Sequence, residues 1–170
     1  CERLAERGLA SLLTVNDNGV LKCVAPPGGT APVISTNPLA VGAPGTPPLV
    51  VDASTSVVAN GKIRVAQIAG AKVPDGWLID SNGNPTNDPN DRFAVPPGSI
   101  LPMGGYKGFG LGLLLDALVG GLSGGECPPA PAGTVECNNT LLVVFEPRHF
   151  GGVEHFSGQL SGLVEFARNS

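Results

Sequence analysis

The chain has 170 residues, enough for one domain with a sizeable buried core and short for two. Glycine (25) and proline (17) make up about a quarter of it, yet 42% hydrophobic against 14% charged residues excludes disorder, because that much apolar surface offsets the entropy of ordering. A formal charge of -4 with no basic run longer than a pair excludes a nucleic acid or an anionic membrane surface as an electrostatic partner.

Glu2 to Arg7, followed by Gly8, reads as the closing turns of a helix with a left-handed glycine cap. Together with a first residue Cys1 and no signal peptide, it gives the expectation that the chain is cut from a longer one. Leu9 to Val15 is an apolar run of strand length that ends in the turn residues Asn16-Asp17-Asn18-Gly19. Ala25 to Gly29 is loop, Ser35-Thr36-Asn37-Pro38 and Pro44 to Pro48 are turns, and Leu49 to Asp52 is a short strand with Asp52 at its end.

From Ser54 onward Val57, Val58, Ile63, Ala66 and Ile68 fall at helical spacing, with Ser54 or Ser56 as the cap. Trp77 to Asp80 reads as a strand entering the tight turn Ser81-Asn82-Gly83-Asn84, and residues 84 to 101 read as irregular. Gly104 to Gly108 opens the most hydrophobic helix, apolar nearly all round and therefore expected to sit centrally, and the pairs Gly120-Gly121 and Gly124-Gly125 close it. Its apolar stretch, Phe109 to Leu122, contains Asp116 and falls short of the ~20 residues needed to span a bilayer. Leu141 to Phe145 is a strand, and Phe156, Leu160, Leu163, Val164 and Phe166 mark a last amphipathic helix. No repeat and no linker divides the chain, so a single domain over residues 1–170 is expected.

The four cysteines, Cys1, Cys23, Cys127 and Cys137, include no C-x-x-C pair, which argues against a zinc or thioredoxin-like site and for a reducing, cytoplasmic compartment. No metal site is expected. The sharpest chemical signal is Lys107 in a glycine-rich turn at a helix start, where unpaired N–H groups, a partial positive charge and an ammonium suit a phosphate. Glycines for close packing plus one surface lysine account for the same letters. The turn is no Walker loop, since Gly108 follows the lysine, and no G-x-G-x-x-G follows a strand. Asp52 at a strand end can accept two bonds from a ribose diol, or simply cap a turn. Asn37 can offer amide bonds to a carboxamide or carboxylate, or simply make an Asn-Pro turn. The two histidines, His149 and His155, read as partly exposed or capping residues rather than as bases.

In order along the chain, Gly28-Gly29, Ser35-Thr36-Asn37-Pro38-Leu39-Ala40, Val51-Asp52-Ala53-Ser54-Thr55-Ser56, Gly61-Lys62-Ile63, Pro74-Asp75-Gly76-Trp77, Asp80, Gly83-Asn84-Pro85-Thr86, Asp88-Pro89 and Gly104-Gly105-Tyr106-Lys107-Gly108 resemble the malate/L-lactate dehydrogenase family. This family includes ureidoglycolate and sulfolactate dehydrogenases and cyclic-imine reductases, and is distinct from the Rossmann-type lactate and malate dehydrogenases. The resemblance implies an α+β fold with a mixed, mainly antiparallel sheet flanked by helices, forming an unusual non-Rossmann nicotinamide-binding domain for NAD or NADP. It implies cofactor contacts at Asp52, Ala53, Ser54 and Lys107, while Asp17 stands where members often carry a serine near the nicotinamide.

The same resemblance implies a 2-hydroxy acid or 2-oxo acid partner, hydride transfer, and a homodimer as the intact enzyme. The family's catalytic histidine lies in a Ser/Asn-x-His-Phe-Gly segment upstream of the region matched by Cys1, and its substrate-gripping arginine lies further upstream. His149-Phe150-Gly151 imitates the tripeptide but matches a later, non-catalytic segment, and the chain stops before the family's final segment. No catalytic residue is therefore assigned, and the chain is expected to be inactive alone. The competing expectation is a non-catalytic cofactor-binding or dimerisation module that has lost the substrate half.

Overall fold

In the computed structural model, which describes residues 1–170, helix α1 (Glu2–Ala5) closes as its glycine foretells. Gly8 has φ +82°, the Leu9 N–H donates to the Leu4 carbonyl at 3.0 Å and the Gly8 N–H to Ala5 at 3.0 Å, the nested pair of bonds that ends a helix on a left-handed residue. The chain then builds two compact units from separated stretches. One comprises Cys1–Leu13, Leu39–Ala53 and Leu142–Ser170, the other Thr14–Pro38 and Ser54–Leu141.

The first unit holds most of a four-stranded sheet with the order β3-β2-β1-β7, made of β1 (Ala10–Asp17), β2 (Pro38–Ala43), β3 (Leu49–Ser54) and β7 (Asn138–Phe145). β2 is a strand over residues that the sequence leaves unassigned between the turns at 35–38 and 44–48. Gly42 explains part of the difference, because a Cβ there would meet the Cys1 carbonyl oxygen at 2.8 Å, so the small side chain lets the chain start lie on the strand. Helix α5 (Val153–Arg168) carries the expected amphipathic pattern but buries no side chain fully; Leu160 approaches the loop at Gly45.

The second unit has the better core. Cys23, Val24, Ile34, Val58, Ile63, Val73, Leu78 and Ile100 are all buried together, with Trp77, Phe93 and Phe109 packed around them. Strands β4 (Leu78–Ile79), β5 (Pro85–Thr86) and β6 (Ser99–Ile100) form an antiparallel sheet in the order β5-β4-β6, Leu78 lying opposite both Thr86 and Ile100. The turn after β4 is the expected one: Asp80 accepts from the N–H groups of Asn82 and Asn84 at 2.8 and 2.9 Å, and Gly83 has φ +87°. Within the stretch read as irregular, Asp88 caps the short helix α3 (Pro89–Arg92) by accepting from the Asn90 N–H at 2.8 Å.

Helix α2 spans Asn60–Ile68, starting later than its pattern indicates. Val57 donates its N–H to the Leu101 carbonyl and Ser56 bridges Pro102, so tertiary pairing keeps these residues out of the helix. The two expected cap serines are occupied elsewhere: Ser54 Oγ donates to the Ser56 carbonyl and Ser56 Oγ to the Val58 carbonyl. Helix α4 (Tyr106–Asp116) runs into a π-helical turn, Ala117–Gly121. It is covered on one side only, since Leu113 and Leu114 remain 48% and 53% exposed. Its buried side is made of Gly108, Gly112, Leu115 and Asp116, and a Cβ on Gly112 would come within 2.8 Å of Ile34.

Helices and antiparallel strands alternate irregularly, with no doubly wound parallel sheet, and the fold class is α+β as expected. Replacing the fully buried Leu78 by alanine should cost about 2–5 kcal/mol through lost burial and the cavity left behind. Chemical denaturation reads this directly, and a loss below about 1 kcal/mol would be incompatible with the core described.

Candidate functional site

A helix start leaves its first N–H groups without carbonyl partners one turn back. At α4 those groups belong to Tyr106 and Lys107, behind an N-cap Gly105 with φ +64° and Gly104 with φ +62°. Both glycines occupy left-handed backbone that side chains avoid, and no atom lies within 4 Å of where a Cβ would stand on either. Lys107 is exposed beside them. The turn is therefore open ground with free donors and one cation, chemistry that holds a phosphate or carboxylate.

Asp52 and Ala53 are exposed in the first unit, inside β3 rather than at its end, and Asp52 caps no helix. Ser54, the last residue of β3, belongs to the second unit, with its hydroxyl engaged by Ser56.

The second unit also gathers a buried polar cluster. Asp116, 4% exposed, accepts from Asn16 Nδ2 at 2.9 Å on one carboxylate oxygen and from Asn37 Nδ2 at 2.8 Å on the other. Asn37 Nδ2 also donates to the Gly112 carbonyl at 3.0 Å, and Asn139 Nδ2 donates to Asn16 Oδ1 at 2.9 Å. Asn37 has φ +37°, a left-handed conformation that asparagine tolerates better than most residues. Its amide nitrogen is thus taken up inside the fold, while its Oδ1 is buried without a partner.

Asp17, 3% exposed at the end of β1, accepts the Gly19 and Leu21 N–H groups at 2.8 and 2.7 Å on Oδ1. Its Oδ2 is buried and unpartnered as well. Of the residues singled out from sequence, the structure brings Asp17 and Asn37 to this cluster. Burial pushes the Asp116 carboxyl above its ordinary range, the amides of Asn16 and Asn37 oppose that, and the negative charge of Asp17 adds to it.

Sequence reasoning missed Asp116, Asn16 and Asn139 as functional or structural partners. The signal was present: a single carboxylate in an otherwise uncharged apolar helix has to be paired, and amides are the neutral donors that do it. His149, in a short 3-10 turn, and His155, in the first turn of α5, are both exposed. No group of three or more His, Cys, Asp or Glu side chains is arranged to hold a metal ion, and all four cysteines are free.

Asp116→Asn turns one acceptor oxygen into a donor facing Asn16 or Asn37, and should cost about 1–3 kcal/mol by leaving a buried amide unpaired. Because the native carboxyl is raised above the unfolded value of 3.8, the native state holds the proton more tightly between the two values. The Asp116 contribution to stability is therefore present below the unfolded value and declines as pH rises through the native one. Denaturation curves across the acid range should show that decline in the wild type and its absence in the variant.

The family model for malate/L-lactate dehydrogenase matches residues 1–170. An L-lactate dehydrogenase of Cupriavidus necator is 37% identical over 174 residues, covering 99% of this chain and 50% of its own. The (2R)-3-sulfolactate dehydrogenase (NADP(+)) of Chromohalobacter salexigens is also 37% identical, covering 96% of this chain and 50% of its own. Among solved structures, the Δ1-piperideine-2-carboxylate reductase of Pseudomonas syringae superposes with a TM-score of 0.84 at 34% identity, over 99% of this chain and 51% of that one. The chain spans about half the length of the curated relatives it matches. With its whole length matched and its fold shared, this chain belongs to the malate/L-lactate dehydrogenase family.

Proposed function

We propose that residues 1–170 act as one nicotinamide-binding domain, the cofactor-holding portion of an NAD(P)-dependent oxidoreductase that moves hydride between 2-hydroxy and 2-oxo acids. The observation that carries this reading is the family match along the whole chain, among relatives named for lactate and sulfolactate dehydrogenation. The residues present fit a dinucleotide. The open glycine turn and Lys107 suit its pyrophosphate, and the unpartnered acceptors Asp17 Oδ2 and Asn37 Oδ1 suit a donor such as a carboxamide N–H. Asp52, exposed with Ala53 in the first unit, carries a carboxylate that can accept two bonds from a ribose diol.

Bound nicotinamide supplies or accepts the hydride, and the chain's own residues bind and orient it. Asp52 favours an unmodified ribose, because its charge repels a 2′-phosphate; the sulfolactate relative, in contrast, is named for NADP. Four free thiols suit a reducing compartment, so the reading places the intact enzyme in the cytoplasm, as a homodimer. No helix is long and apolar enough to cross a membrane.

Fluorescence titration of the 170-residue chain with reduced nicotinamide nucleotides tests this reading. Binding should be saturable, and Lys107→Ala should weaken it by about 1.5–3 kcal/mol, the scale of a hydrogen bond to a charged group. Equal affinity in wild type and variant would remove Lys107 from the site, and no binding at all would overturn the domain assignment. Supplied with malate, lactate, ureidoglycolate or sulfolactate, the chain alone should not turn over, because neither histidine matches the family's base. Turnover abolished by His149→Ala would reverse that assignment.

A further inference from the structure

Cys127 and Cys137 stand at the two ends of the proline-rich loop Pro128 to Glu136, and all four thiols of the chain are free. Both ends of that loop are held against one segment of the second unit, Asn16 to Gly19. At the far end, the Asn18 N–H donates to the Cys137 carbonyl at 3.1 Å and the Cys137 N–H to Asn18 Oδ1 at 3.3 Å, while Asn18 Nδ2 donates to the Val135 carbonyl at 2.9 Å. At the near end, the Glu126 carbonyl accepts from Asn16 Nδ2 at 3.3 Å, and Pro128 Cα lies 2.6 Å from where a Cβ on Gly19 would stand. Cys127, between those two residues, therefore lies level with Asp17 and Asn18, and Cys137 is paired with Asn18.

A direct contact also joins the two ends. Asn139 Nδ2 donates to the Glu126 carbonyl at 3.2 Å, and only a residue without a Cβ, Gly125, leaves room for the Asn139 side chain beside it. Residues two apart on a strand share a face, so at the entry to β7 Cys137 falls on the face of Asn139 that meets Gly125 and Glu126. The loop between the cysteines is mostly exposed and can adjust to the Cα separation of about 4.4–6.8 Å that a disulfide requires. Cys137 is exposed, whereas Cys127 is half-buried, its Sγ donating to the Asp116 carbonyl at 3.0 Å, and a thiol is a weak donor. An oxidant in solution meets Cys137 first.

We infer that Cys127 and Cys137 form a reversible redox pair, closed by a small disulfide oxidant of the glutathione class. The Cys137 thiolate attacks that disulfide, giving a mixed disulfide and expelling one thiolate; Cys127 then gives up its proton, leaves the Asp116 carbonyl and attacks the Cys137 sulfur, expelling the second. Two protein thiols become one protein disulfide, the oxidant becomes two thiols, and the two cysteine protons pass to the departing thiolates. In a reducing compartment the pair stays open, and it closes when the oxidised form accumulates. This pair does not depend on the cofactor reading.

Cleavage after Glu126 and Glu136 puts Cys127 and Cys137 at the starts of separate peptides, so a peptide map tests the pair directly. The folded 170-residue chain is incubated with glutathione disulfide, quenched in acid, alkylated in denaturant, cut after glutamate and read by mass spectrometry. With free glutathione held well below the roughly mM effective concentration of partners on a short linker, the two peptides should appear joined, and dithiothreitol should separate them. Cys127→Ser should leave Cys137 carrying glutathione, and Cys137→Ser should leave Cys127 largely unmodified. A wild type that stops at the Cys137 mixed disulfide, as the Cys127→Ser variant does, or that links Cys137 to Cys1, to Cys23 or to a second chain instead, would overturn the proposal. A bridge formed only by the urea-unfolded chain would overturn it too. If Cys127→Ser fails to fold by circular dichroism, the wild-type map decides alone.

Discussion

A carboxylate on the covered face of a half-exposed helix is in an adverse position, because little water is present to screen its charge. Asp116 is the last residue of α4 and is nearly inaccessible. What makes it tolerable is a pair of asparagine amides, Asn16 at the end of β1 and Asn37 just before β2, each giving one bond to a different oxygen. Asn139, at the start of β7, extends the chain of bonds through Asn16. One charge thus ties four segments of the second unit, and removing either amide leaves it exposed to the full cost of its burial.

Close approach by small residues makes those bonds reachable. Gly112 lies against Ile34, and Gly120, in the π-helical turn, leaves no space for a Cβ beside Asn16 Nδ2 and Cys127 Sγ, at 2.9 and 2.8 Å. The extra residue of a π turn alters which side chains share a helix face, and here it falls directly after Asp116. Packing at one end of α4 therefore sets where its other end points. The N-terminal donors face open ground because the rest of the helix is already committed.

Much of this was legible from local chemistry. Gly8 as a helix stop, Asn82-Gly83 as a turn, Lys107 behind two glycines and the apolar run 109–122 depend on neighbours in sequence, and each appears where its letters place it. What escaped depends on distant partners. β2 forms beside β1 and β3 over a stretch that the sequence leaves unassigned between two turns, and Val57-Val58 stay out of the helix because Leu101 and Pro102 pair with that stretch. At the candidate site, Asp17 and Asn37 were visible as turn residues, but Asp116, about a hundred residues from Asn16, could be understood only once the fold brought their side chains together.

The resulting distribution of donors and acceptors has a direction. The α4 start has free N–H groups, a lysine and no nearby carboxylate partner, so it calls for an anion. The Asp17 and Asn37 end has the opposite character, with two buried oxygens lacking donors and no cation to satisfy them. A ligand that met both would be anionic at one part and rich in neutral N–H or O–H donors at another. A pyrophosphate joined to a carboxamide-bearing ring has that polarity. The cofactor reading is carried by kinship, and the open anion-binding turn of α4 and the acceptor-rich Asp17 and Asn37 are chemically compatible with it.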